Sequence, residues 1–112
     1  MKKNEFDIDD YLRIDEDIYK ENEIYNLFIN KQIYIISFPS GKQSITDGKF
    51  KSLSDKYIIH SCKTDSGSSG APILNSYNMK VIGIHIGKLN FYIEGGIGSI
   101  IPKYIKQNAL KL

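Results

Sequence analysis

The feature that most restricts this chain is a rhythm. Short runs of β-branched and aromatic residues recur about every ten positions, each closed by glycine, proline, asparagine or aspartate. The runs are IYIISF (33–38), residues 43–46 and 49–53 on either side of Asp47-Gly48, KYIIHS (56–61), APIL (71–74), KVIGIHIG (80–87) and residues 96–101. Asp47-Gly48 reads as a two-residue hairpin turn. Pro39-Ser40-Gly41-Lys42, Asn75–Asn78 and Lys88–Asn90 read as the other turns. Strands this short and evenly spaced predict an all-β barrel or sandwich.

The ends of the chain differ in texture. Residues 1–30 carry Ile, Tyr, Leu and Phe at irregular spacing and read as an acidic, solvated lead-in with a short helical turn. PKYIKQNALKL (102–112), with Pro102 at its start, reads as a short C-terminal helix laid against the barrel. The expected division is therefore a lead-in over 1–30, a barrel over 31–101 and a helix over 102–112. At 112 residues and 41% hydrophobic composition the chain suffices for one core and is too short for two.

Charge and cysteine content narrow the partners. Residues 1–25 hold nine acids and four bases, and the remainder holds eleven bases and four acids. Those later bases are lysines scattered singly, which argues against nucleic-acid binding. No run approaches a membrane span, and the N-terminus lacks the apolar stretch of a secretion signal. A single cysteine, Cys62, excludes an internal disulfide and a cysteine-based zinc site, so a reducing, cytoplasmic setting is the default expectation. No metal, nucleotide or other cofactor is expected.

The informative stretch is Thr64-Asp65-Ser66-Gly67-Ser68-Ser69-Gly70-Ala71-Pro72. Acyl transfer by serine needs a hydroxyl held on a tight turn, with backbone N–H groups aimed where an oxygen becomes negative. Gly67 can turn its N–H inward because it has no Cβ. Ser69 would supply the hydroxyl and a second N–H, while Gly70 and Ala71 leave room for a substrate. A plain polar β-turn uses the same residue types. Other loop chemistries fail: a phosphate-cradling loop needs Gly-Lys-Ser/Thr before a helix, the Gly-x-Ser-x-Gly elbow is broken by Ala71, and Ser-x-x-Lys is absent from the loop.

GSSGAP resembles the nucleophile motif Gly-Asp-Ser-Gly-Gly-Pro of the chymotrypsin-like (trypsin-fold) serine peptidases, and is closest to the glutamyl-endopeptidase branch. VIGIHIG (81–87) is similar to that branch's Val-Ile-Gly-Ile-His-x-Gly strand. Glu94-Gly95-Gly96 resembles the strand behind the specificity pocket, and IYIISFPSGK (33–42) the opening of the second barrel. The resemblance implies a single Greek-key β-barrel like the C-terminal half of a trypsin-like double barrel. It makes Ser69 the nucleophile and the amides of Gly67 and Ser69 the oxyanion hole. It makes Thr64 and His85 receptors for a substrate glutamate, Ile84–Lys88 (Ile86 and Gly87 included) the strand that pairs with the substrate backbone, and Gly95 a pocket residue. Ser68 stands where zymogen-activated members carry aspartate, so no such activation switch is implied.

A serine nucleophile is weak without a base, and the base needs an orienting acid. In the resembled family both lie in the first barrel, which nothing here matches. The histidines are His60, in a strand leading to the loop, and His85, in the pocket motif. The resemblance therefore implies a truncated serine endopeptidase that is almost inert alone, cutting after Glu once complete. Two alternatives remain: a non-catalytic module that captures acidic peptides, and one half of a split protease whose other barrel arrives in cis or trans. In each case the partner is a peptide or protein. If His85 must be charged to hold a glutamate, binding should weaken above about pH 6.5.

Overall fold

The computed structural model describes residues 13–38, 41–64, 68–88 and 95–101. Six strands form a closed antiparallel barrel: β1 (Gln32–Ser37), β2 (Ser44–Ser54), β3 (Tyr57–His60), β4 (Pro72–Asn75), β5 (Val81–Lys88) and β6 (Gly96–Ser99). Around the barrel the order is β1-β2-β3-β6-β5-β4, so the connection from β3 to β4 joins strands that are not neighbours. That connection carries the serine loop. The predicted C-terminal helix lies outside the described residues, and among those residues no helix is long and apolar enough to cross a membrane.

Alternation along β1 explains its place. Ile33 and Ile35 are buried while Tyr34 and Ile36 are half-buried on the other face, as a pleat with one face on the core requires. Ile58, Ile73 and Ile82 fill the same interior from β3, β4 and β5, with Phe50 from β2 and Cys62 beyond β3. Burial pushes the Cys62 thiol up to about 12, so it packs as a small apolar group.

The Asp47-Gly48 turn expected from the sequence is not there. Both residues lie inside β2, opposite Tyr34 and Ile33 of β1. β2 is one long bent strand, pairing with β1 through residues 44–49 and with β3 through residues 50–54, with a register shift between Phe50 and Ser52. A turn at 47–48 would break the pairing of β1 with β2, and the barrel closure outweighs the local dipeptide preference. Glycine is required at 48 for space: a Cβ there would lie 2.7 Å from the Cys62 backbone nitrogen. The hairpin turns instead at Asp55-Lys56, with Asp55 at φ 60, a left-handed conformation that aspartate tolerates.

The lead-in is also more than a solvated surface. Ile14, Ile18, Ile24 and Phe28 are buried, and Phe28 lies 5.4 Å from Phe50 between ring centroids. Two 3-10 turns (Glu16–Tyr19 and Glu21–Glu23) run into one turn of α-helix (Ile24–Leu27). This succession has no single period, so inward-facing residues recur irregularly while Glu16, Glu21 and Glu23 stay in water. Buried Asp15 fixes the segment. One carboxylate oxygen accepts from the Asp17 amide at 3.1 Å, the other from Asn75 Nδ2 at 2.8 Å and Asn78 Nδ2 at 3.2 Å. Ile14 bridges to Val81 beside it.

Candidate active site

The serine loop enters β4 through a tight turn. The Ala71 N–H donates to the Ser68 carbonyl at 3.0 Å, and Gly70 sits at the third position with φ +89. That position of such a turn demands a left-handed residue, which explains the glycine. Ser69 is therefore held at the corner, exposed, between buried Ser68 and exposed Gly70. Two backbone bonds fasten the turn to β5: the Gly70 N–H to the His85 carbonyl and the His85 N–H to the Ala71 carbonyl, both 2.8 Å.

The Ser69 hydroxyl donates to the Ile86 carbonyl at 2.6 Å. An amide carbonyl cannot take up a proton near neutral pH, so this contact orients the hydroxyl without activating it. Among the described residues nothing accepts from the Ser69 backbone N–H. Gly67, the other expected cradle residue, lies outside the described residues.

Beside the turn, three side chains named at different distances along the sequence meet. His85 Nε2 lies 3.2 Å from Thr64 Oγ1, and His85 Nδ1 lies 3.1 Å from His60 Nε2. His60 Nδ1 accepts from the Cys62 backbone N–H at 3.1 Å. An amide N–H is only a donor, so neutral His60 carries its proton on Nε2 and donates to His85 Nδ1. His85 then carries its proton on Nε2 and donates to Thr64, whose own hydroxyl proton points onward. The chain of bonds is complete with both rings neutral.

Electrostatics agrees with that assignment. Burial, then the neighbouring His85 ring, lowers His60 to about 4, and burial also lowers His85 below the ordinary histidine value. Burial thus disfavours a charged His85 in the empty pocket. All four ring nitrogens are engaged with one another, Thr64 or Cys62, so neither histidine is bonded to Ser69 as a base.

The pairing of the histidines follows from strand register. His60 faces Gly96 across the β3–β6 ladder and His85 faces Gly98 across the β5–β6 ladder. Both rings crowd the space a side chain at 96 would take: a Cβ there would lie 2.8 Å from His85 Cε1 and 2.9 Å from His60 Cε1. Sequence reasoning missed His60 as a partner of His85. The available signal was alternation, since each is an inward position of a strand flanking the glycine-bearing one. Of the other expected site residues, Gly95 precedes β6 with φ +110, Gly87 has open space around it, and Ile86 is 45% exposed. Among the described residues no cluster of histidine, cysteine and carboxylate groups could hold a metal ion.

The buried neutral pair carries a pH prediction. The unfolded chain takes up a proton at His60 near its ordinary value of about 6.5, whereas the folded chain resists until about 4. Stability present at neutral pH should therefore be lost as pH falls through that interval, on the order of 2–3 kcal/mol from His60. Following the His60 Cε1 proton by NMR should show no titration above pH 5. A midpoint at 6 or higher would contradict the neutral chain of bonds.

A family model described as "Trypsin-like peptidase domain" matches residues 15–84, a span that includes Thr64 and Ser69 and stops one residue before His85. Among curated proteins no relative matches the chain. Among solved structures, an inactive form of the Rv3671c protease of M. tuberculosis is similar over 72% of this chain and 47% of its own, with 15% identity and a TM-score of 0.58. The tobacco etch virus protease complexed with product is similar over 72% and 38%, at 17% identity and a TM-score of 0.59. The HtrA-type protease AlgW with a decapeptide is similar over 77% and 30%, at 18% identity and a TM-score of 0.55. At these identities the likeness establishes the barrel alone, and the chain spans less than half the length of each of these proteins.

Proposed function

This chain belongs to the trypsin-like peptidase domain family, and on that premise we propose that it is the nucleophile-bearing, peptide-binding barrel of a serine endopeptidase of the glutamyl-endopeptidase type. The observation that carries the reading is the exposed Ser69 hydroxyl on a turn bonded to β5, beside the Thr64–His85–His60 chain. In this proposal an extended peptide pairs with β5 beyond His85, and its glutamate carboxylate accepts from the outward Thr64 hydroxyl. Acylation of Ser69 then requires a base and an orienting acid supplied by a further barrel, in cis or in trans. Without them the same surface captures peptides and releases them uncut, a reading favoured by the engagement of both histidines away from Ser69.

His60 is a positioning residue here. By donating to His85 Nδ1 it fixes which face of His85 presents a proton to Thr64. Protonating His85 would set an Nδ1–H against the His60 Nε2–H, so the carboxylate is held by the neutral chain of bonds and affinity should stay level between pH 8 and 6. The test is affinity for two capped peptides differing only in Glu against Gln. The Glu peptide should bind at least about tenfold more tightly, as charge-assisted hydrogen bonds allow, and Thr64→Val should erase the difference. Equal affinities in the native chain would overturn the glutamate assignment.

A further inference from the structure

Between Ile84 and Lys88, Ile86 is the one residue that the β5–β6 ladder skips: His85 pairs with Gly98 and Gly87 with Ile97, and the register shifts between them. A bulged residue is left out of the regular pairing, and its backbone groups are free to be used otherwise. Here the Ile86 carbonyl accepts the Ser69 hydroxyl at 2.6 Å. The turn is tied to the same strand on both sides of that contact, through the His85 carbonyl and the His85 N–H. Serine and carbonyl are thus held in register by fixed backbone.

A substrate must place its scissile carbonyl carbon about 3–3.5 Å from the Ser69 oxygen. Within one residue, backbone nitrogen and carbonyl carbon lie only about 2.5 Å apart. A peptide laid along β5 can therefore set the N–H of the residue being cut against the Ile86 carbonyl, the acceptor that Ser69 already occupies. We infer that the Ile86 carbonyl is a shared acceptor: it holds the Ser69 hydroxyl in the empty chain and passes to the substrate N–H when an extended peptide docks, freeing the hydroxyl. The inference rests on the peptide-binding reading above. The proton stays on the serine oxygen throughout; what changes is the partner it faces. An empty site keeps its serine on an acceptor that cannot take the proton, and an occupied one turns it toward whatever base is present.

The consequence is competition, which mutation can remove. Ser69→Ala deletes the rival donor, so an acetyl-capped, Glu-containing peptide should bind this variant about fivefold more tightly than the native chain, the worth of one ordinary hydrogen bond. The same peptide N-methylated at the Glu nitrogen has no N–H to offer and should bind both proteins alike. A second readout is the Ile86 carbonyl carbon. Labelling Ile carbonyls with carbon-13 and Gly with nitrogen-15 isolates three Ile-Gly steps, at 82–83, 86–87 and 97–98. In the empty chain, Ser69→Ala should shift the Ile86 resonance alone, and adding the peptide to that variant should shift it back. Equal affinity of both proteins for the unmethylated peptide would overturn the hand-over while leaving peptide binding intact. No binding by either protein would overturn the peptide reading and the hand-over with it, and an unmoved Ile86 carbonyl would show that Ser69 does not occupy it.

Discussion

Gly95→Ala should cost the protein a large part of its stability at neutral pH. A Cβ at this position would stand 2.3 Å from the His60 carbonyl oxygen, closer than side-chain carbons come to any backbone atom, and φ of +110 is already closed to other residues. Neither strain can be relieved locally. The next residue, Gly96, pairs with His60 itself, so moving either strand opens the β3–β6 ladder and disturbs the histidine pair above it. The combined cost is about 3–5 kcal/mol against a total stability of about 5–15 kcal/mol for a domain of ordinary size. Gly87→Ala is the matched control, because nothing lies within 4 Å of its Cβ position and its φ is not in the left-handed region. Urea midpoints should fall steeply for Gly95→Ala and stay within about 1 kcal/mol of the native chain for Gly87→Ala. Equal midpoints for the two would refute the placement of Gly95 against His60.

Ser69 should react with a fluorophosphonate far more slowly than a serine in a complete triad. Removing the histidine from such a triad costs about 10⁶-fold in turnover, with roughly 10³-fold over water remaining from the oxyanion hole and binding. The isolated chain should stand at that residual level. Because all four ring nitrogens are engaged away from Ser69, His60→Ala and His85→Ala should leave the labelling rate within a few-fold of the native chain. Rapid labelling abolished by one of those substitutions would identify that histidine as a surrogate base and contradict the geometry.

How much of this was legible in the residues depended on how local the cause was. The barrel was readable because alternation and turn residues act within single strands; IYIISF and KVIGIHIG both became strands near their expected bounds. Asp47-Gly48 was misread because a dipeptide's turn preference is weak beside the closure of β2 on both β1 and β3. The lead-in was misread because its apolar residues follow two kinds of helical turn in succession, a pattern without one period. At the site, Ser69 stood out because the loop around it has few other uses. Alternation marks His60 and His85 as inward positions, but their bond is not legible from it, since 25 residues of chain separate them and only the shared neighbour β6 brings them together. The bulge at Ile86 was equally hidden, because ladder register is set by three strands at once.

The most direct test of the central claim supplies the base from outside. The purified chain is incubated with a small fluorophosphonate across rising imidazole concentrations, and the adduct is located by mass spectrometry. Phosphonylation should rise with imidazole and map to Ser69, and Ser69→Ala should carry none. Adduct distributed over several serines, or a chain that stays unlabelled at Ser69 at every imidazole concentration, would mean that this hydroxyl is an ordinary turn serine on a β-barrel.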